Sequence, residues 1–227
     1  MSLGVPKMTK NQQILAKIGG GSLALLLSLG LGQQAYAVTL VENLSQSNSD
    51  TGGITFDYLW QGSSFTTGSS SYNLNSATLL FQEFSASTDL FVRLYSDNSG
   101  QPGTVITNFT NPTPITTTLT NNTFTLATPQ ALAANTTYWL VSGTTGGGEY
   151  YWGYTKSFNQ TGLPGWTIGD GYVFSSDQSA SWDTDPTGGP YQFSLEGTAT
   201  SVPEPGSVVA LLGLGGLGLA SSLKKRK

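Results

Sequence analysis

Apolar and polar residues alternate in short runs through most of this chain. In ITFDYLW, Ile54, Phe56, Tyr58 and Trp60 fall on one side; in DLFVRLY, Leu90, Val92 and Leu94 oppose Asp89 and Arg93; in YQFSLEG, Tyr191, Phe193 and Leu195 oppose Gln192, Ser194 and Glu196. A period of two over such lengths predicts strands with one buried face. Further runs rich in β-branched and aromatic residues predict strands at 77–84, 104–109, 123–128, 136–143, 149–154 and 171–176. Between them SDNSGQPG (96–103), TTGGG (144–148) and DPTGG (185–189) combine Gly, Pro, Asn and Asp where a chain must reverse. Only PQALAAN (129–135) favours a helical turn. Short strands at this close spacing predict an all-β domain, an antiparallel β-sandwich or jelly roll.

The two ends break the alternation. Near the start, Lys7, Lys10 and Lys17 precede or enter the apolar run ILAKIGGGSLALLLSLGLG, and Ala35-Tyr36-Ala37 is a small-x-small site. That order predicts a signal peptide over 1–37, read by Sec-type export machinery and cut after Ala37, with either Met1 or Met8 as the initiator. At the other end, Gly206 to Leu223 carries no charged side chain and is followed by Lys224, Lys225, Arg226 and Lys227. At about 1.5 Å per residue such a helix just reaches across a hydrocarbon core. Its glycines are unfavourable in a water-exposed helix but common in spanning ones, and the cations hold that end in the cytoplasm. The exported domain is then 38–200 and the sorting and anchor segment 201–227.

That last segment resembles the PEP-CTERM sorting signal of Gram-negative bacteria: Val202-Pro203-Glu204-Pro205, an apolar helix and a basic end, in that order. The resemblance implies recognition of Pro203, Glu204 and Pro205 by a membrane protease-transpeptidase, exosortase, and delivery to the cell exterior, often beside exopolysaccharide. The residues suit that role. Proline fixes its own φ and pushes the residue before it toward extended backbone, the form a protease cleft takes.

Composition narrows the remainder. Between the two terminal segments only Arg93 and Lys156 stand against twelve acids from Glu42 to Glu196. A surface so acidic repels phosphate, so nucleic acid is excluded as a partner. The chain has neither cysteine nor histidine. Disulfides, thiolate or imidazole metal sites and Ser-His or Cys-His catalysis are therefore excluded, and no cofactor is expected. The stretch from about 60 to 155 resembles the choice-of-anchor R surface domains, through Leu94-Tyr95-Ser96-Asp97-Asn98-Ser99-Gly100-Gln101-Pro102-Gly103 and Asn135-Thr136-Thr137-Tyr138-Trp139-Leu140. That resemblance implies an extracellular β domain and brings no activity.

Three groups of residues are candidates for chemistry. Asp97, with Asn98 and Ser99, offers oxygens to Ca²⁺, as do Asp183 and Asp185; turns in which Asp caps its own downstream backbone account for the same residues. Tyr150, Trp152 and Tyr154 share one face of a strand, and with Trp166 and Trp182 they would make an aromatic platform for a glycan, or fill the core. Glycoside hydrolysis needs two carboxylates at a set separation, and Asp57, Asp170, Asp177, Asp183 and Asp185 cannot be paired from sequence. The expectation is a non-catalytic surface or matrix protein, with a carbohydrate-binding module and a glycan hydrolase as alternatives.

Overall fold

The computed structural model describes residues 36–200. The predicted signal segment up to Ala35, the Pro203-Glu204-Pro205 motif and the apolar run 206–223 lie outside them. The strands are β1 (Val38–Glu42), β2 (Asp50–Thr55), β3 (Trp60–Thr66), β4 (Tyr72–Ser85), β5 (Phe91–Asp97), β6 (Pro102–Asn108), β7 (Thr120–Leu132), β8 (Thr137–Gly143), β9 (Glu149–Tyr154), β10 (Thr161–Gly162), β11 (Thr167–Ile168), β12 (Tyr172–Ser175), β13 (Asp183–Asp185) and β14 (Phe193–Ala199). They form two antiparallel sheets packed as a sandwich. One runs β10-β1-β14-β4-β9-β2 with β7 on the far edge of β4, and the other runs β13-β12-β3-β8-β5-β6 with β11 beside β3. No helix among the described residues is long and apolar enough to cross a membrane.

The alternation explains the core. Tyr191, Phe193 and Leu195 of the predicted YQFSLEG face are buried, and Phe193 and Leu195 pair along β14 and β4 with Leu79 and Ala77. Leu90, Val92 and Leu94 join the same core, beside Phe65, Phe81 and Phe124. The opposite face of β5 is also covered. Phe91 and Tyr95 meet Trp60, Trp139, Val141 and Val173 in a second, smaller cluster on the outer side of that sheet.

Two expectations are corrected. ITFDYLW is not one strand: β2 ends at Thr55, Phe56 and Leu59 bond each other across a tight turn at 3.1 and 2.9 Å, and β3 starts at Trp60 in the other sheet. Tyr58 therefore stands at the turn, 53% exposed, while Trp60 is buried. The period of two was real, but a reversal at Asp57-Tyr58 separates its members. PQALAAN is likewise not helical. Gln130 and Leu132 pair with Leu74 and Tyr72 after a register break that takes up the residues before them, and only Ala134-Asn135 turns. Pairing with the long β4 outweighs the weak local preference of three alanines, and an edge strand tolerates Pro129.

Candidate functional site

Two loops of the second sheet meet over its outer cluster, and each is shaped by an aspartate. Asp97 ends β5. Both its carboxylate oxygens accept the Gly100 N–H at 3.2 Å, the Asn98 N–H bonds the Gln101 carbonyl at 2.8 Å, and Ser99 and Gly100 take positive φ values of 57° and 85°. The indole Nε1 of Trp139, on the neighbouring β8, donates to Asp97 Oδ1 at 2.8 Å. The turn is thus tied to the sheet below it.

Asp177 organises the other loop, between β12 and β13. It accepts the Ser175 hydroxyl at 2.8 Å, the Ser181 N–H at 2.9 Å and the Ser181 hydroxyl at 2.6 Å. The Ser181 hydroxyl, followed by its N–H and by Ser175, holds this exposed carboxyl below the ordinary aspartate range. Gln178 and Ser179 both adopt left-handed backbone, φ 59° and 72°. The loop lays Trp182 against the outer aromatic cluster, and Gln101 Nε2 donates to the Trp182 carbonyl at 2.9 Å, joining the two loops.

Between them lies a cleft of about 470 Å³ whose walls include Asp97, Asn98, Gln101, Thr104, Ser181 and Trp182. Sequence reasoning had singled out Asp97 and Trp182 for different reasons, and the fold brings them to one place. It did not single out Gln101, Thr104 or Ser181 as site residues. Ordinary polar residues in a turn carry no signal of what they face. A second cleft, of about 300 Å³, is lined by Tyr154, Lys156, Tyr172 and Asp185. Here the Thr187 hydroxyl and N–H keep Asp185 below its ordinary range, while burial, then Asp185, pushes the Tyr172 phenol up.

The aromatic platform is corrected by burial. Tyr150 and Trp152 lie on the inner face of β9: Trp152 is 0% exposed, stacks on Tyr191 at 4.8 Å and donates Nε1 to the Gln192 carbonyl at 3.0 Å. Trp166 is buried parallel to Phe65. Of the five rings only Tyr154 and Trp182 are partly exposed, and they line different clefts. The ring that β9 turns outward is Tyr151, edge-on to Phe84, itself 66% exposed.

The calcium candidates do not converge. Asp97 and Asp185 have their oxygens occupied by N–H and O–H donors, Asp183 stands exposed on β13, and among the described residues no three acidic groups are placed to hold a metal ion. At the other extremity, the exposed Ala37 directly precedes β1, which begins at Val38, the residue that the predicted signal cleavage would leave first.

Compared with known proteins, residues 201–227 match the PEP-CTERM protein-sorting motif. The motif implies an exported protein, made as a membrane-anchored precursor and sorted to the surface by exosortase. Nothing among curated proteins matches the chain, and no solved structure does.

Proposed function

We propose that the β-sandwich is a non-catalytic module of the cell surface or extracellular matrix, associated with exopolysaccharide and released to that location when exosortase processes the tail. The observation that carries this reading is the sorting motif at 201–227, which follows the folded domain without an intervening second domain. The non-catalytic reading is supported by composition, since a chain with neither histidine nor cysteine leaves mainly carboxylates and hydroxyls for acid-base work. A glycan hydrolase needs a carboxyl whose proton affinity is raised so that it can act as general acid. Glu42, Asp177 and Asp185 are each held below their ordinary range, which suits a hydrogen-bond acceptor and not that general acid. For Glu42, burial pushes up but is outweighed by the Thr161 hydroxyl and by Ser45.

The resemblance to choice-of-anchor R domains gains support from geometry. Its two segments, Leu94–Gly103 and Asn135–Leu140, are neighbours, because Leu94 and Tyr95 pair with Leu140 and Trp139 and the Asp97–Trp139 bond links them.

Replacing Pro203-Glu204-Pro205 with three alanines tests delivery. Intact mass of the native protein recovered outside the cell should lack the apolar tail, whereas the variant should stay full-length and membrane-bound. An unprocessed native tail would replace the exosortase reading with a plain membrane anchor.

A further inference from the structure

We infer that the cleft between the β5–β6 turn and the β12–β13 loop binds an uncharged pyranose unit of an extracellular polysaccharide, with Trp182 as the stacking wall and Asn98 and Gln101 as the hydroxyl-reading groups. The assignment rests on the surface-module reading above and names the site through which glycan contact would occur.

The composition of the walls selects the ligand class. Trp182 is half-buried: it packs on the Trp60, Phe91, Tyr95 and Trp139 cluster and also lines the cleft, so its ring is held in place before any ligand arrives. The part of Trp182 that reaches the cleft offers a held apolar contact for the C–H groups of a sugar ring. Around it stand side chains that both donate and accept. The Asn98 side-chain amide makes no hydrogen bond within the described residues, and Gln101 spends Nε2 on the Trp182 carbonyl and leaves Oε1 to accept. Paired donors and acceptors beside an aromatic wall suit adjacent hydroxyls better than any apolar ligand. The volume, about 470 Å³, lies within the usual range for small-ligand sites.

Charge excludes the other classes. No Lys or Arg lines the cleft and Asp97 does, so a uronate, sulfate or phosphate would meet repulsion without a counter-charge. A metal ion fares no better, because Asp97 already accepts from Gly100 and Trp139, whose N–H dipoles point their positive ends where a cation would sit.

The backbone adds an independent sign. Of the four non-glycine residues with left-handed φ among those described, Ser99, Gln178 and Ser179 lie in the two loops that make this cleft. Each such residue stores strain that its surroundings must hold, and strain of this kind gathers where a loop is shaped for contact rather than for its own stability. The Asp177 bonds and the Gln101 tie are what hold it here.

The test is affinity gel electrophoresis of the exported, processed protein in gels containing a soluble glucan, galactomannan or xyloglucan, with polygalacturonate as the anionic counterpart. The native protein should be retarded in at least one neutral gel and not by polygalacturonate. Asn98→Ala, on an exposed turn, should keep the native melting temperature and weaken retardation about fivefold, the value of one hydrogen bond. Trp182→Ala should weaken it by more than about tenfold. A native protein that no neutral gel retards, retardation by polygalacturonate instead, or an Asn98→Ala variant indistinguishable from native would each overturn the assignment, whatever Trp182→Ala does. Correct processing of a protein that is never retarded would remove the cleft and leave delivery standing. An unprocessed tail on a protein that is retarded would do the reverse.

Discussion

At Trp152 two readings of one residue part by several kcal/mol. The period of two along EYYWGY says that Tyr150, Trp152 and Tyr154 share a side and Tyr151 does not; it is silent on which side meets the other sheet. Because Trp152 is fully enclosed, Trp152→Ala should cost about 3 to 5 kcal/mol in urea unfolding, from lost contacts and the cavity left. Tyr151→Ala should stay within about 1 kcal/mol, since that ring leans on the exposed Phe84. A larger loss for Tyr151→Ala than for Trp152→Ala would reverse the face assignment, and near-equal losses would mean that neither face is preferentially enclosed. A second residue-scale expectation concerns Asp177, whose folded carboxyl binds protons less readily than the unfolded one. Its contribution is present above the ordinary aspartate range and is lost as pH falls through the lower, folded value. Titrating toward acid should release the loop and change Trp182 fluorescence at a pH below that range, and Asp177→Asn should abolish that step while leaving the others.

Among elements, what could be read from sequence depended on whether the signal was local. Turn glycines were legible: SDNSGQPG and DPTGG both reverse the chain, with Gly100 and Gly189 at φ 85° and 82°. What each glycine faces was not, because that depends on distant chain. A Cβ on Gly100 would meet nothing within 4 Å, whereas one on Gly189 would sit 2.1 Å from the Thr155 carbonyl oxygen. Gly100→Ala should therefore cost only backbone strain, about 1 kcal/mol, and Gly189→Ala distinctly more. Differential scanning calorimetry on the two variants checks this, and equal losses would mean that Thr155 yields freely. The same dependence on distant partners explains the misread strands. ITFDYLW divides between sheets because Gly53, Ile54 and Thr55 pair with β9 while Gln61, Gly62 and Ser63 pair with β8. The short β10, β11 and β13 have too few residues to show any period and exist only through their partners.

For the whole molecule, charge composition is the property that sequence states most fully, since it needs no partner to be identified. Twelve acids against two cations leave the exported domain with strong self-repulsion, and the fold does little to cancel it. Arg93 lies over the Phe91 ring at 3.7 Å and donates Nε to Asn108 at 2.8 Å, so its contacts go to neutral groups instead of a carboxylate. With repulsion dominant, adding salt screens more unfavourable than favourable pairs. The melting temperature should therefore rise between about 10 mM and 200 mM NaCl, where the Debye length falls from roughly 30 Å to under 10 Å. The same reasoning fixes how polysaccharide contact responds. Retention on a neutral glycan through Trp182 and the amides of the cleft involves no charge pairing and should be unchanged over that range, while any association with an anionic matrix should be absent at low salt and appear only as cations screen it. A melting temperature that falls with salt, or retention that weakens with it, would mean that attractive ion pairs, and not stacking and hydrogen bonding, govern this surface.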